Sequence, residues 1–529
     1  MGRAPVVVVG GGHNGLVAAC YLAQAGRDVL VLEQADRVGG GSRTDETVPG
    51  FRFDTHSVAH NIINMTSIPA ELALGEAGLR YVEMEPFAAG FSTGGQVVRF
   101  HRSIEQTVAG LAEHDPDSAA AYQAFMHRAT PLVETAVTGL QGGSTGGGLA
   151  RGAVTRIGTS VTALRRAGSL TNLVRDLLMP YGALLERDLP TELIRAPIAS
   201  FAAHSSAGPH QLGSSFYALW QAAYHRYGQW HAVGGSQGLT DALLTRLLSY
   251  GGAVRTSAGV RRIVVSGGQV RGVELADGER IEATSVVTAT DVKLALLELL
   301  DPPLAGAVGA ALRAAHRGNA VQMLLHVAVD RLPAYPGARP GDWNGLQSHV
   351  DSVEELRRGF LAAEARRLPD PAPTYAFTTS ALDDSLAPAG QHTVYLACPC
   401  APFEVEGGWE ANAERFAEAM LDSMERHAPG FRSTIVGLSV RTPAAMAAEL
   451  AWPGAHPMHL DISLDQLAFL RPTRALAGHV VPGVRGLYVS GAGTAPVGGI
   501  AGSPGRAAAM ALLRERSMRS TAPAAAARS

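Results

Sequence analysis

The sequence predicts an α/β fold in which one parallel sheet is assembled from three separated segments of a 529-residue chain. Three observations indicate this fold. Four valines, residues 6–9, lead into a glycine-rich turn and an apolar helix, and a second glycine pair, Gly234-Gly235, opens another helix. A third strand, loop and helix occupy residues 486–513. Strand, glycine turn and helix in this order are typical of nucleotide-binding βαβ units.

The first unit carries a full dinucleotide fingerprint. Gly10 lets the chain turn off the strand, Gly12 leaves room for a pyrophosphate beside the backbone, and Gly15 lets helix and strand pack closely. The free N–H groups at the start of the helix would face the phosphates. Glu33, 18 residues after Gly15, ends the next strand, where its carboxylate would accept hydrogen bonds from the adenosine ribose. A glycine turn without a ligand is the alternative interpretation.

The residues that follow Glu33 favour FAD over NAD. Gly39-Gly40 and Thr44 resemble the second pyrophosphate motif of the large FAD-binding oxidoreductase superfamily, GG-R-x-x-T. Gly41 occupies the position where that motif has its arginine, so Arg43 is the candidate replacement. NAD binding does not require a glycine pair at this place, and the sequence therefore predicts FAD.

Two later segments would complete the sheet. After the helix opened by Gly234-Gly235, alternating residues predict a hairpin over 260–265 and 270–275 and a strand over 281–288, with Val260 against the adenine. Near the C-terminus, a strand leads into the glycine-rich loop 491–505 and a helix. The backbone N–H groups of this loop would face the pyrimidine end of the flavin, unless it is a plain crossover.

The predicted cofactor-binding residues come from all three segments. They are Gly10, Gly12, His13, Asn14, Gly15, Glu33, Gln34, Gly39, Gly40, Arg43, Thr44, Val260, Gly491, Gly493, Gly499, Ile500 and Ala501.

The domain organisation predicted from these segments is discontinuous. FAD-binding segments are expected at 1–70, 228–300 and 476–515, and a mixed α+β substrate domain at 71–227 and 301–475. The first substrate segment is predicted to be helical, with a glycine-rich loop at 139–152, and a disordered tail is predicted at 516–529.

Composition excludes several classes of protein. The net charge of −3 favours neither nucleic acid nor an anionic membrane as a partner, and no apolar run approaches the ~20 residues of a membrane span. The three cysteines, Cys20, Cys398 and Cys400, lack redox CxxC spacing and fit a reducing compartment. We expect no signal peptide, no metal site and a cytoplasmic protein, with peripheral membrane contact left open.

The chain as a whole resembles the phytoene-dehydrogenase-like (carotenoid desaturase) flavoproteins. Besides the motifs above, the resemblance rests on Pro49–Asp54, Trp230, Ala289–Asp291, Ser463–Gln466 with Arg471-Pro472, and the closing stretch Gly486–Arg506. It implies non-covalent FAD and desaturation of a hydrophobic, polyene or isoprenoid-like substrate, such as a molecule of secondary metabolism, by hydride transfer to flavin N5. It also implies reoxidation by O2 or a quinone, because no second GxGxxG follows a strand.

Three residues are candidates for proton transfer. His56 follows a segment that runs beside the flavin ring in the family, while His231 and Asp461 belong to the middle and late segments. A structural histidine is the alternative for each His, and a solvated loop is the alternative for Asp461. An aromatic stripe (Tyr217, Trp220, Tyr224 and Tyr227) would be core packing or the wall of a substrate tunnel.

Other functions remain open at this point. An amine oxidase-like flavoenzyme would need a lysine near the flavin, and Lys293, the only lysine, lies in the FAD-binding part. A redox-neutral double-bond isomerase and a flavin-bound scaffold without turnover are the remaining alternatives.

Overall fold

The computed structural model describes residues 5–141 and 146–521, and describes no side chains at 141, 146–156 and 516–521. The strands are β1 Val6–Val9, β2 Val29–Leu32, β3 Thr44–Val48, β4 Phe51–Asp54, β5 Tyr81–Glu83, β6 Ala88–Phe91, β7 Val97–Phe100, β8 Trp230–Ala232, β9 Ala253–Arg255, β10 Val260–Ser266, β11 Gln269–Leu275, β12 Arg280–Glu282, β13 Ser285–Thr288, β14 Leu300–Asp301, β15 Ala320–Val329, β16 Leu346–His349, β17 Thr374–Phe377, β18 His392–Pro402, β19 Ile435–Arg441 and β20 Leu487–Val489.

The α-helices lie between or after these strands. They are α1 His13–Gln24, α2 Asn61–Asn64, α3 Ile68–Glu71, α4 Ile104–Ala112, α5 Pro116–Gln141, α6 Gly146–Ala167, α7 Leu170–Leu178, α8 Tyr181–Asp188, α9 Glu192–Ala203, α10 Ser215–Leu219, α11 Gln221–Tyr227, α12 Gln237–Ser249, α13 Gly306–Ala314, α14 Val353–Glu364, α15 Gly408–His427, α16 Pro443–Glu449 and α17 Ser503–Thr521. Eight of them, α4–α11, follow one another without an intervening strand.

The predicted parallel sheet is present and draws its strands from all three segments. Its order is β20-β13-β1-β2-β9, with Val6 opposite both Val29 and Ser285. Both faces are buried, because Val6 and Val8 pack into one apolar cluster and Val7 and Val9 into another. Helices α1, α12 and α17 pack on the first of these faces. The carboxyl end of β1 therefore opens directly onto the glycine turn.

A second, larger sheet organises the rest of the molecule. Its order is β19-β15-β18-β17-β16-β6-β7, antiparallel except between β16 and β6. The core around it includes residues from helices α5, α9, α14 and α15. A smaller sheet, β12-β11-β10-β14, lies beside the parallel one. No helix in the described ranges is long and apolar enough to cross a membrane.

The structure differs from the predicted elements at four places. The segment 71–227, expected to be helical, also contains the strands β5, β6 and β7, because β5 pairs with β8 and β6 with β16, partners that lie far away in sequence. The strand expected at 281–288 is two strands, because β12 pairs with β11 while β13 joins the parallel sheet. The sequence does not separate them, because side chains alternate with a two-residue period in the strands of both sheets. The loop expected at 139–152 shortens, because α5 continues to 141 and α6 begins at 146; residues 142–145 lie outside the described residues. The tail expected from 516 is helical to 521, since α17 continues, and 522–529 also lie outside the described residues.

Candidate active site

The glycine turn after β1 forms one end of a large cavity. Gly10 has φ +102°, which favours glycine, and a Cβ on Gly15 would lie 2.0 Å from the Gly10 carbonyl oxygen. Gly12 is different, because a Cβ there would meet no protein atom closer than 3.8 Å, yet the residue borders the cavity. The missing side chain at Gly12 therefore leaves space for a ligand rather than for the protein.

The carboxylate of Glu33 is held at the edge of the cavity by backbone N–H groups. Its Oε2 accepts a hydrogen bond from Gly11 at 2.6 Å, and its Oε1 accepts one from Ala35 at 2.9 Å. Each oxygen keeps acceptor capacity for a further donor. Gln34 and Val260 border the cavity beside it, as expected for an adenosine-binding end.

The second glycine turn lies against the first. The Gly39 N–H donates to the Gly11 carbonyl at 3.0 Å, and Gly40 borders the cavity with φ +57°. A Cβ on Gly41 would meet nothing within 4 Å, and this residue also borders the cavity. Arg43 does reach the cavity: one guanidinium nitrogen lies 3.1 Å from Asp45, and its Nε has no partner among the described residues.

The C-terminal segment closes the cavity from the other side. Gly491, Gly499 and Ile500 border it, and His13 Nε2 lies 3.0 Å from the Gly499 carbonyl oxygen. Burial lowers the pKa of His13 to about 4, so the neutral imidazole donates this hydrogen bond at neutral pH. The contact ties the N-terminal turn to the C-terminal loop across 486 residues of sequence.

The cavity continues beyond these turns toward the larger sheet as one space of about 560 Å³. Its far wall is aromatic. Phe377 lies 6.4 Å from Tyr395 and 6.2 Å from His204, and His204 packs edge-on against Tyr375 at 4.0 Å (ring centroids). Phe201 and Tyr224 also belong to this wall, 4.5 Å apart. This end of the cavity suits an apolar ligand.

Two histidines and a tryptophan line the middle of the cavity. The Trp452 ring lies 5.2 Å from His56 and 5.6 Å from His459. Burial lowers the pKa of His56 to about 3 and that of His459 to about 4, so both rings are neutral at neutral pH. Among the described residues, His56 Nε2 has no hydrogen-bond partner.

The structure does not bring the other two catalytic candidates to the cavity. His231 is buried, and its Nε2 lies 3.0 Å from Asp383 Oδ2, which also accepts a hydrogen bond from Gly234 N–H at 2.6 Å. Asp461 accepts a hydrogen bond from Gly318 N–H at 2.6 Å and pairs with His456. His231 thus has the structural role that was its alternative, whereas Asp461 is paired within the protein rather than solvated.

Five predicted cofactor residues also lie outside the cavity lining: Gly15, Gly39, Thr44, Gly493 and Ala501. Gly15 and Gly39 allow the close packing described above. The Thr44 hydroxyl donates to Asp54 at 2.7 Å and accepts from Gln237 N–H, which joins the first and second segments. A Cβ on Gly493 would lie 3.3 Å from His459, and Ala501 is fully buried.

Most residues of the substrate end were not predicted from the sequence. Phe201, His204, Tyr375, Phe377 and Tyr395 come from α9, the residue after it, β17 and β18. Each has the pattern of an ordinary core residue, so no sequence signal separates them from packing. Of the predicted aromatic stripe, only Tyr224 borders the cavity; Tyr217, Trp220 and Tyr227 pack against the core.

Lys293 lies away from the cavity lining. Its Nζ donates to the carbonyl oxygens of Arg313 and Ala315, at 2.9 and 2.6 Å. It is therefore not available to hold a water molecule near a cofactor ring. Within the described ranges, no group of three His, Cys, Asp or Glu side chains could hold a metal ion.

The cavity fits FAD rather than a shorter ligand. A carboxylate stands at its adenosine end, two glycine turns flank the pyrophosphate region, and the start of α1 faces that region. The lining then continues to Gly499 and Ile500, where a flavin ring would lie between the two domains.

Two family profiles match the chain. The profile of the NAD(P)-binding Rossmann-like domain matches residues 8–67, and that of the flavin containing amine oxidoreductases matches residues 170–398. The first range contains both glycine turns, and the second contains the substrate wall from Phe201 to Tyr395.

Relatives match over nearly the whole chain. Pyridine nucleotide-disulfide oxidoreductase domain-containing protein 2 of Mus musculus is 29% identical over 545 residues, covering 96% of this chain and 93% of the relative. A lycopene-forming phytoene desaturase of a Paracoccus species is 26% identical over 515 residues, covering 96% of both chains. An oxidoreductase from Methanosarcina mazei has the same fold, with TM-score 0.63 at 16% identity over 96% of this chain and 100% of that one. The predicted fold class and the predicted resemblance are confirmed.

Proposed function

Because this chain is an FAD-dependent oxidoreductase related to the carotenoid desaturases and the flavin-containing amine oxidoreductases, we propose that it dehydrogenates a carbon–carbon bond of a hydrophobic substrate. The substrate class proposed is polyene or isoprenoid-like. The name of the relative from Paracoccus, a phytoene desaturase, supports this class.

The observation that carries the proposal is that the middle and the substrate end of the cavity present no free carboxylate among the described residues. His56 and His204, which line these parts, are neutral, because burial lowers the pKa of each to about 3. The carboxylates of Glu449 and Asp291 border the cavity, but the first is paired with Arg441 and the second is bound by Arg317 at 2.5 Å. A cationic amine would find no free carboxylate there, whereas an apolar chain would lose water against aromatic rings.

Different residues would carry out different parts of the reaction. FAD, when bound, supplies a hydride acceptor at its N5 position. We assign adenosine binding to Glu33 and pyrophosphate binding to the turns at Gly12 and Gly40, with Arg43 beside them. The aromatic wall orients the substrate and excludes water. The unpartnered Nε2 of His56 is the proposed acceptor of the proton. Its low basicity suffices, because a carbon beside the one that loses a hydride becomes strongly acidic.

The electron acceptor proposed is O2 or a quinone. The substrate would lose two hydrogens, one as hydride and one as a proton, and the acceptor would take both electrons from the reduced cofactor. The sequence has no second GxGxxG following a strand, so a built-in NAD(P)H site is not part of the proposal.

Anaerobic reduction of the FAD-loaded protein tests the proposal. We expect a detergent-solubilised polyene such as phytoene to bleach the flavin absorbance and to yield a product two hydrogens lighter, while primary amines leave the flavin oxidised. Bleaching by an amine and not by any polyene would establish the amine oxidase alternative. Conversion only with pre-reduced flavin and without change of mass would establish an isomerase, and no reduction by any donor would indicate a scaffold.

A further inference from the structure

One histidine of the aromatic wall keeps an unused hydrogen-bond acceptor. His204 directly follows helix α9 and borders the cavity. Burial lowers its pKa to about 3, and a hydrogen bond from the ring to the Phe201 carbonyl acts in the opposite direction. Its Nε2 is buried and has no partner among the described residues. Because a neutral imidazole that donates through Nδ1 carries no proton on its other nitrogen, Nε2 is a bare acceptor.

A tyrosine hydroxyl lies beside this histidine. The ring of Tyr375 packs edge-on against His204, with 4.0 Å between the ring centroids, and the residue borders the cavity although it is only 2% exposed. Burial raises the pKa of its hydroxyl well above the usual range, so the group stays protonated. This hydroxyl has no hydrogen-bond partner among the described residues. The neighbouring Tyr395 differs, because its hydroxyl donates to the His56 carbonyl at 2.8 Å.

The surroundings of His204 and Tyr375 are apolar. Phe201 lies 5.7 Å from His204, and Phe377 lies 6.1 Å from Tyr375 (ring centroids). Leu324 borders the cavity on the same face of the larger sheet, because Leu324 and Tyr375 both lie opposite Ala397 in the register of the strands. One acceptor and one donor therefore stand side by side in a wall that is otherwise hydrocarbon. Buried polar groups of this kind need a partner, and a ligand in the cavity can supply it.

We propose that His204 and Tyr375 bind a hydroxyl group of the substrate, which is then a polyene or isoprenoid-like alcohol. A hydroxyl can donate to His204 Nε2 while it accepts from Tyr375. An ether or a ketone has no proton for Nε2, and an ammonium group would be buried without a free carboxylate. Since this assignment rests on the proposed dehydrogenation of the same substrate, the two residues determine specificity and take no part in the transfer of hydride or proton.

A second acceptor on the cavity lining must be distinguished from this pair. Gln229 is 1% exposed and borders the cavity, and its Oε1 has no partner among the described residues. Its amide nitrogen donates only to the sulfur of Met84, at 3.5 Å. A hydroxyl bound at Gln229 instead would leave His204 and Tyr375 without a role in specificity.

Equilibrium binding to the oxidised, FAD-loaded protein tests the proposal without turnover. The ligands share one carbon chain: geranylgeraniol, its methyl ether and the hydrocarbon that lacks the oxygen, each followed through the flavin absorbance. We expect the alcohol to bind roughly tenfold more tightly than the other two. Tyr375→Phe and His204→Phe should each raise the Kd for the alcohol roughly fivefold, as for one lost hydrogen bond, and leave that for the hydrocarbon nearly unchanged. His204→Gln, which keeps an acceptor near the place of Nε2, should retain part of the preference.

The control variant is Tyr181→Phe. The Tyr181 hydroxyl is also buried without a partner among the described residues, but Tyr181 does not border the cavity. The variant should leave every Kd unchanged, and all variants should keep the same melting temperature and flavin spectrum. The proposal is overturned if the alcohol and the hydrocarbon bind equally, if geranylgeranylamine binds more tightly than the alcohol, or if only Gln229→Leu removes the preference. Because binding is measured without turnover, a protein that prefers the alcohol yet never reduces its flavin would contradict the proposed dehydrogenation alone.

Discussion

The two ends of the cavity are built in opposite ways. At the FAD end the lining is mostly backbone and glycine, supplied by turns that directly follow strands of the parallel sheet. At the substrate end the lining is side chains, aromatic rings and neutral histidines from α9, β17, β18 and the loop around Trp452. The cofactor site is therefore determined by residues that are close together in sequence, whereas the substrate site is determined by how distant elements pack together.

The largest effect is expected at the FAD end, from Gly12→Ala. The new methyl group meets no protein atom within 3.8 Å, so the fold should survive, but it occupies the space for the pyrophosphate. Such a clash costs on the order of 3 kcal/mol, roughly 100-fold in the Kd for FAD. Isothermal titration of the apoprotein measures it, and Gly75→Ala, in open space, is the control. An unchanged Kd for FAD would show that Gly12 does not lie beside the bound cofactor.

The next effect is expected where the two ends meet, from His56→Leu. If His56 accepts the proton, the limiting rate of anaerobic flavin reduction should fall roughly 100-fold, with KM and FAD affinity nearly unchanged. His204→Phe replaces another neutral, partly buried histidine of the cavity and is the matched comparison. Equal losses in both variants would assign His56 a structural role.

A smaller effect is expected at the substrate end, from Phe377→Leu. This ring borders the cavity between His204 and Tyr395, so shortening it should raise KM for an apolar substrate roughly tenfold. The Kd for FAD should not change. Phe416→Leu, in the core and away from the cavity lining, controls for the loss of stability. A change in FAD affinity with an unchanged KM would contradict the separation of the two ends.

The last effect concerns the dependence of stability on pH. Burial lowers the pKa of His204 from its ordinary value of 6.5 to about 3, so below pH 6.5 the unfolded chain takes up a proton that the folded chain does not. Stability is therefore lost as the pH falls from 6.5 toward 3, by up to about 1.4 kcal/mol per pH unit from this group.

His204→Phe should flatten that slope. Urea unfolding between pH 7 and 4 measures it, and His114→Gln, at an exposed position, is the control. An unchanged slope would mean that His204 is protonated or hydrated in the folded protein.

The two ends of the cavity differ in how many of their residues could be predicted from the sequence. The parallel sheet followed from the valines at 6–9, the glycine turns and Glu33, because turn geometry and strand periodicity are local properties. Twelve of the 17 predicted cofactor residues border the cavity, and the other five pack its walls. The prediction of a single strand over 281–288 was wrong, because side chains alternate with the same two-residue period in the strands of both sheets.

The substrate end could not be predicted in the same way. Phe201 and Tyr375 border the same cavity although 174 residues of sequence separate them, and each has the pattern of a core residue. The missing information is which distant elements pack together.

Mass spectrometry of the ligands released from the purified protein shows whether one cavity holds FAD at one end and an apolar substrate at the other. We expect one non-covalent FAD per chain together with a neutral, apolar molecule, and loss of FAD in Gly12→Ala. A polar amine or amino acid released in place of the apolar molecule would contradict it, as would a nicotinamide nucleotide in place of FAD.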